Sequence, residues 1–194
     1  MARWGAGLLY ALVLSGCASV YVDGTTKEIP SAQFKKPVTA APVQLLFEFQ
    51  TKGVINAQAT ALLKDKVTEQ VRSSGLFSEV SAAGVNGGAL LSITLNNVPL
   101  NDDAFAKGFV TGLTFGLAGS QVSDGYVCTA SYRANGEAAA VIKIARHAIH
   151  TTMGAAATPG NATKATDHRA AAFQMTSQVI SNVLNDLSLD AKFN

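Results

Sequence analysis

Charge and sulfur are scarce in this chain. Asp, Glu, Lys and Arg make up 14% of its 194 residues, aromatics 7%, and there are two cysteines and one tryptophan. The formal net charge is +2, which gives no electrostatic case for nucleic acid as a partner. Two cysteines, Cys17 and Cys128, provide no disulfide framework for the body. The sequence has no Gly-x-Ser-x-Gly nucleophile elbow and no internal repeat. Histidine occurs three times, as His147, His150 and His168. On a strand the odd spacing of the first two sends them to opposite faces, so regular β geometry does not let them chelate one ion. Surface or capping roles are expected for them, and no metal and no cofactor is expected.

Against that sparse background the N-terminus is densely patterned. Arg3 supplies a positive residue, Trp4 to Leu14 an apolar run, and Leu14-Ser15-Gly16-Cys17 ends it with two small residues before a cysteine. Residues 4–16, about 13 in all, are short of the ~20 that a spanning helix needs, and Trp4 to Leu14 falls in the range of a signal h-region of about 7 to 15 residues. The stretch resembles a bacterial lipobox. The resemblance implies a signal peptide over 1–16, cleavage before Cys17, and a diacylglyceryl group with further acylation (palmitate) on Cys17. Two lipid signals give stable anchoring. An Asp after the cysteine favours inner-membrane retention in such lipoproteins; Ala18 follows here, so the resemblance implies the periplasmic face of the outer membrane.

Loss of Arg3 with residues 1–16 takes the cations from 15 to 14 against 13 acidic side chains. The remaining chain is long enough for one domain with a substantial core. Residues 17–42 carry Gly24, Pro30, Pro37 and Pro42 among Thr, Ser and Lys, and read as a flexible tether. A single domain over 43–190 follows. Val43, Leu45, Phe47 and Phe49 alternate with polar or outward positions in a first strand. Ala59, Leu62, Leu63, Val67 and Val71 have helical spacing over Asn56 to Ser74, and Gly75 suits a left-handed helix end. Leu76 to Ser81 reads as a short second strand and Ala89 to Asn97 as a third. Gly84 to Gly88 is turn chemistry, since a strand and not a helix follows it. Asn135-Gly136 predicts a type I′ hairpin joining Tyr126–Ala134 to Glu137–His150. After a loop over Thr151 to Ala162, Met175, Val179, Ile180, Val183, Leu184 and Leu187 mark the buried side of a helix over about Ala165 to Leu187.

One stretch does not fit this pattern. From Ala104 to Ala118 there is a single charge, Lys107, and Gly108, Gly112 and Gly116 recur at every fourth position. On a helix they form a bare stripe beside Phe105, Phe109, Leu113 and Leu117, the spacing by which glycines let another backbone approach. Three glycines cost a solvated helix roughly 3 kcal/mol relative to alanine, so packing against something must offset them. A buried core element or a hairpin is the alternative reading. Phe105, Gly108, Phe109, Gly112, Leu113, Gly116 and Leu117 are the candidate interaction residues. Cys128 sits in the β-prone run Tyr126 to Ala130 and is expected to be packed rather than reactive. Asp102 and Asp103 suit a helix start better than an acid/base pair. No catalytic residue is assigned.

The element order implies an α+β fold: a two-layer sandwich with a mostly antiparallel sheet of about five strands, two helices on one face, and an apolar Gly-rich insertion. With the lipobox, this order resembles small domains of envelope assembly lipoproteins, such as those of lipopolysaccharide export and curli secretion. The resemblance implies a non-enzymatic scaffold or accessory factor of the cell envelope. Its partners would be the membrane, through the N-terminal lipid, and an envelope protein or a second copy. A periplasmic module binding a small apolar or lipid-like ligand between sheet and helices is the alternative.

Overall fold

A computed structural model of the chain describes residues 18–100, 121–154 and 158–193. Among them are eight strands, β1 (Ala18–Asp23), β2 (Val43–Thr51), β3 (Val54–Ile55), β4 (Val80–Ser81), β5 (Ala89–Pro99), β6 (Gln121–Arg133), β7 (Val141–Met153) and β8 (Ala162–Lys164). Two α-helices accompany them, α1 (Ala57–Ser73) and α2 (His168–Ser188). The strands form one open sheet in the order β3-β2-β5-β6-β7-β1-β8, with β4 beside β2. The mixed α+β class agrees with the sequence reading, and the sheet has more strands than the five expected.

The extra strands are short and show no period in the sequence. Val20, Tyr21 and Val22 lie in the segment read as a tether, and the three β-prone residues pair with β7 on one side and β8 on the other. Phe34, farther along that segment, is buried in the core. Residues 18–34 are therefore part of the folded body. β3 exists because Lys52 and Gly53 both take positive φ, 53° and 78°, which folds Thr51 back onto Val54 as a two-residue turn of the I′ kind. At Asn135-Gly136 only the glycine has positive φ, at 78°. The last β6–β7 pair is Tyr132 with Val141, so the hairpin closes through a longer loop than expected, and Ala138 to Ala140 belong to that loop.

β2 and β5 pair in parallel over their whole length, Val43 with Ala89 through Thr51 with Asn97. Parallel neighbours need a long crossover, and α1 supplies it. Asn56 caps α1 by accepting from the Ala59 N–H at 3.0 Å, and Gly75 leaves it with φ of 67°. Asp167 caps α2 through the Ala170 N–H at 2.8 Å.

Both helices lie on one face of the sheet. Leu63, Val67 and Val71 of α1 and Met175, Val179, Ile180, Val183, Leu184 and Leu187 of α2 share one core with alternate residues of the strands. On β5 those are Leu91, Ile93 and Leu95, on β6 Cys128, Ala130 and Tyr132, and on β1 Val20 and Val22. Each Leu, Ile, Val and Met among them contributes about 1.5 to 3 kcal/mol when fully buried. At the end of the sheet that carries the β6–β7 loop, Phe193 packs edge-on against Tyr132 at 4.9 Å and Phe77 at 5.7 Å, which brings the chain beyond residue 190 into the body. Val98, Leu100 and Ala148, with Val127 against them, make a small second cluster on the opposite face.

Candidate functional site

Cys17 and the seven candidate interaction residues between Phe105 and Leu117 lie outside the described residues. The described residues nevertheless fix where the chain leads to them. β1 begins at Ala18, one residue after Cys17, and Ala18 pairs with Met153. Gln121, the first residue of β6, pairs with Thr152 on the other side of β7. Ala18 and Gln121 are thus two strand spacings apart, about 10 Å. β5, which leads into residues 101–120, ends beside them, with Pro99 opposite Asp124. The topology brings Ala18, Pro99 and Gln121 to one end of the sheet, although about 80 residues separate the first two in sequence.

β1 is held there by a buried polar network on the face away from the helices. The His150 imidazole bonds the Ser123 hydroxyl through Nδ1 at 2.8 Å and the Asp23 carboxylate through Nε2 at 3.3 Å. The other Asp23 oxygen accepts from the Thr25 backbone N–H at 2.8 Å and from the Thr25 hydroxyl, an Asx-type turn that ends the strand. Burial pushes the Asp23 carboxyl upward, but the hydrogen bonds from His150 and Thr25 outweigh it and hold the group below the ordinary carboxylate range. The residue types are those of a hydrolytic triad. The imidazole and carboxylate are 2% and 5% exposed, and a triad needs its nucleophile and base open to a substrate carbonyl. In this setting the network joins β1, β7 and β6 through side chains, in addition to the backbone ladder.

His147 is buried on the opposite, helix-covered face. Its Nδ1 accepts from the Ala148 N–H at 2.8 Å and its Nε2 donates to the Gln178 side chain of α2 at 2.7 Å. Those roles describe a neutral ring, and burial holds its pKa below the ordinary value despite the bond to Gln178. The surface role expected for His147 and His150 is therefore corrected. Both are interior, because each finds a polar partner there, and they do lie on opposite faces as their spacing requires. His168 is exposed at the first turn of α2. Cys128 is fully buried and burial pushes its thiol well up, so it is poorly disposed to form a thiolate.

Among the described residues, shallow clefts lie on the surface at two places. One of about 430 Å³ runs along β2 and β5 and is lined by Leu46, Glu48, Lys64 and Thr94. The other, about 420 Å³, lies under the β6–β7 loop at Arg133 to Ala138. Neither touches the His150 network. The layer between sheet and helices, where an apolar ligand was the alternative expectation, is occupied by Leu63, Leu91, Ile93, Met175, Ile180 and Leu184 at 2% exposure or less.

No protein-family model matches the chain, and no curated protein does. Among solved structures it is similar to a PelC dodecamer from Paraburkholderia phytofirmans, at 12% identity and a TM-score of 0.38, over 90% of this chain and 99% of that one. It is also similar to a minor lipoprotein from Acinetobacter baumannii, at 14% identity and a TM-score of 0.37, over 78% of this chain and 87% of that one. At these values both likenesses are distant.

Asp23 and Ser123 were not singled out by sequence reasoning, and His150 was weighed only as a metal ligand and expected at the surface. The signal that could have found Asp23 is local: Asp23-Gly24-Thr25 is turn chemistry directly after the β-prone Val20-Tyr21-Val22, which together spell a strand and its end.

Proposed function

We propose that the protein is a lipid-anchored periplasmic lipoprotein that serves the cell envelope as a non-enzymatic scaffold or accessory factor, held at the outer membrane by acylated Cys17. The observation that carries this reading is the order of Arg3, the apolar run and Leu14-Ser15-Gly16-Cys17. No helix among the described residues is long and apolar enough to cross a membrane. The buried Asp23, Ser123 and His150 are tied to one another and His147 to α2, which suits a structural role. The partner is an envelope protein or a second copy, reached through the stretch between Phe105 and Leu117.

The test is mass spectrometry of the mature protein together with fractionation of the envelope. A diacylglyceryl-modified Cys17 at the N-terminus, and release of the Cys17→Ser protein from the membrane, are the expected results. An uncleaved N-terminus without acyl chains contradicts the reading. Crosslinking in cells, comparing the wild type with Gly112→Leu, tests the contact: a crosslinked partner lost in the variant is expected.

A further inference from the structure

β7 is an interior strand of the sheet over only part of its length. β6 pairs with it from Val141 to Thr152, but β1 covers its other side only from Ile149 to Met153 and ends at Asp23. Between Val141 and Ala148, on the side away from β6, no strand pairs with β7 among the described residues. The Arg146 carbonyl points that way, since it accepts from the Thr26 hydroxyl at 2.8 Å. Strand residues alternate in the side to which their N–H and C=O point, so the main-chain groups of Ile142 and Ile144 also face the open edge. Their side chains stand on the face away from the helices, 58% and 47% exposed. An unpaired apolar edge of this kind is a template for another strand. A comparable gap at Leu45 to Phe47 of β2 is closed at both ends, by β4 at Gln44 and by β3 at Gln50, and is too short for one.

We infer that the edge of β7 from Val141 to Ala145 is a self-association surface, which pairs antiparallel with the same stretch of a second copy about a two-fold axis at Lys143. An interface of this symmetry must be complementary to itself, and in this register the stretch is. Ile142 lies opposite the partner's Ile144, and Ile144 opposite the partner's Ile142. Each pair exchanges two hydrogen bonds through the main-chain groups that face the edge. All four isoleucines fall on one face of the joined sheet, where β-branched neighbours stabilise one another. Lys143 meets the partner's Lys143, and like charges directly opposite are unfavourable. Each ammonium, however, is held at 2.8 Å by Asp190 of its own chain. Val141 faces the partner's Ala145. Beyond the paired stretch, Ala138 to Ala140 bring only small side chains beside the partner's Arg146 and Thr26. A strand of unrelated sequence would need none of this self-match, so a second copy is the occupant. The surface lies toward the end of the sheet opposite Ala18, Pro99 and Gln121, and it does not depend on acylation of Cys17.

Facing Cα atoms of a non-hydrogen-bonded antiparallel pair are about 4.5 Å apart, within reach of a disulfide. Lys143→Cys in the full chain is therefore expected to give a disulfide-linked dimer in whole cells treated with copper phenanthroline. Ile142→Cys sets the two thiols on a diagonal of about 7 to 8 Å, beyond that reach, and Glu137→Cys sets them on the two loops. Neither is expected to exceed the wild-type background, in which Cys128 is buried. A second measurement separates association from folding. The Ile144 N–H faces the edge, so Ile144→Pro spares the β6–β7 ladder. Sedimentation equilibrium of the full chain in density-matched detergent is expected to show a wild-type dimer and an Ile144→Pro monomer of similar melting temperature. Equal linking at Glu137→Cys, or none at Lys143→Cys in protein with the wild-type melting temperature, overturns the inference. A higher yield at Ile142→Cys than at Lys143→Cys overturns the register. A Lys143→Cys adduct whose mass is not twice that of the chain, with a wild-type monomer in sedimentation, overturns the second copy as the occupant.

Discussion

On the helix-covered face of the sheet, Leu91, Ile93 and Leu95 of β5 meet Leu63 and Leu184 with almost no exposure; on the other face of the same sheet, the best-buried groups around β1 are Asp23, His150 and Thr152. The first face is held by burial of apolar area, which is non-directional and tolerant of exchange among similar volumes. The second is held by hydrogen bonds of fixed geometry, which hold only when every member is present. A strand at the edge of a sheet has half the backbone bonds of a central one. β1 has β7 along its length but β8 only over Tyr21 to Asp23, and the polar network reinforces it where the ladder is incomplete.

Mutations separate these two modes. Leu184→Ala removes a fully buried side chain from the helix layer and is expected to cost about 2 to 5 kcal/mol in urea or thermal unfolding. Asp23→Ala strips His150 and Thr25 of their partner, and a cost of about 1 to 3 kcal/mol is expected. A cost below that range would mean that the backbone ladder alone holds β1.

Acid sharpens the same contrast. The Asp23 carboxyl has a folded pKa below its unfolded one, so its contribution is complete above the unfolded value, near 4, and is lost as pH falls through the depressed folded value. His147 is likewise depressed. The unfolded chain therefore takes up its proton first, and stability falls as pH drops below about 6.5. Melting temperature recorded from pH 7 to pH 3 should decline in the wild type. The acidic part of the decline should shrink in Asp23→Ala, and the part below pH 6.5 should shrink in His147→Gln.

The smallest effect concerns the apolar face. The Thr176 hydroxyl is buried in α2 without a hydrogen-bond partner. Thr176→Val keeps the shape, removes the orphan group, and should raise stability by up to about 1 kcal/mol in denaturant titrations. An unchanged or lowered value would mean that the hydroxyl is satisfied in solution.

The apolar face was the legible part of the sequence. The 2-residue period of Val43 to Phe49 and of Leu91 to Leu95, and the helical period of Leu63 to Val71 and Met175 to Leu187, each correspond to a real element, because burial against a layer imposes that period. The caps Asn56 and Gly75 are local chemistry and were equally visible in kind. What escaped were elements whose cause is not local. β1 and β8 are too short to show a period and exist through long-range pairing, and β3 depends on Lys52 accepting positive φ beside Gly53. The His150 network joins residues 23, 123 and 150, and no spacing rule connects those positions.

The central claim is that Ala18 to Asp23 form a strand of the folded sheet, although the sequence reads there as a flexible tether. Hydrogen exchange of the backbone amides of Tyr21 to Asp23 in the native protein tests it most directly. The account predicts protection at these amides comparable to that of β6 and β7, reduced by Asp23→Ala. Exchange at the rate of an unstructured peptide, while β6 and β7 remain protected, would contradict it.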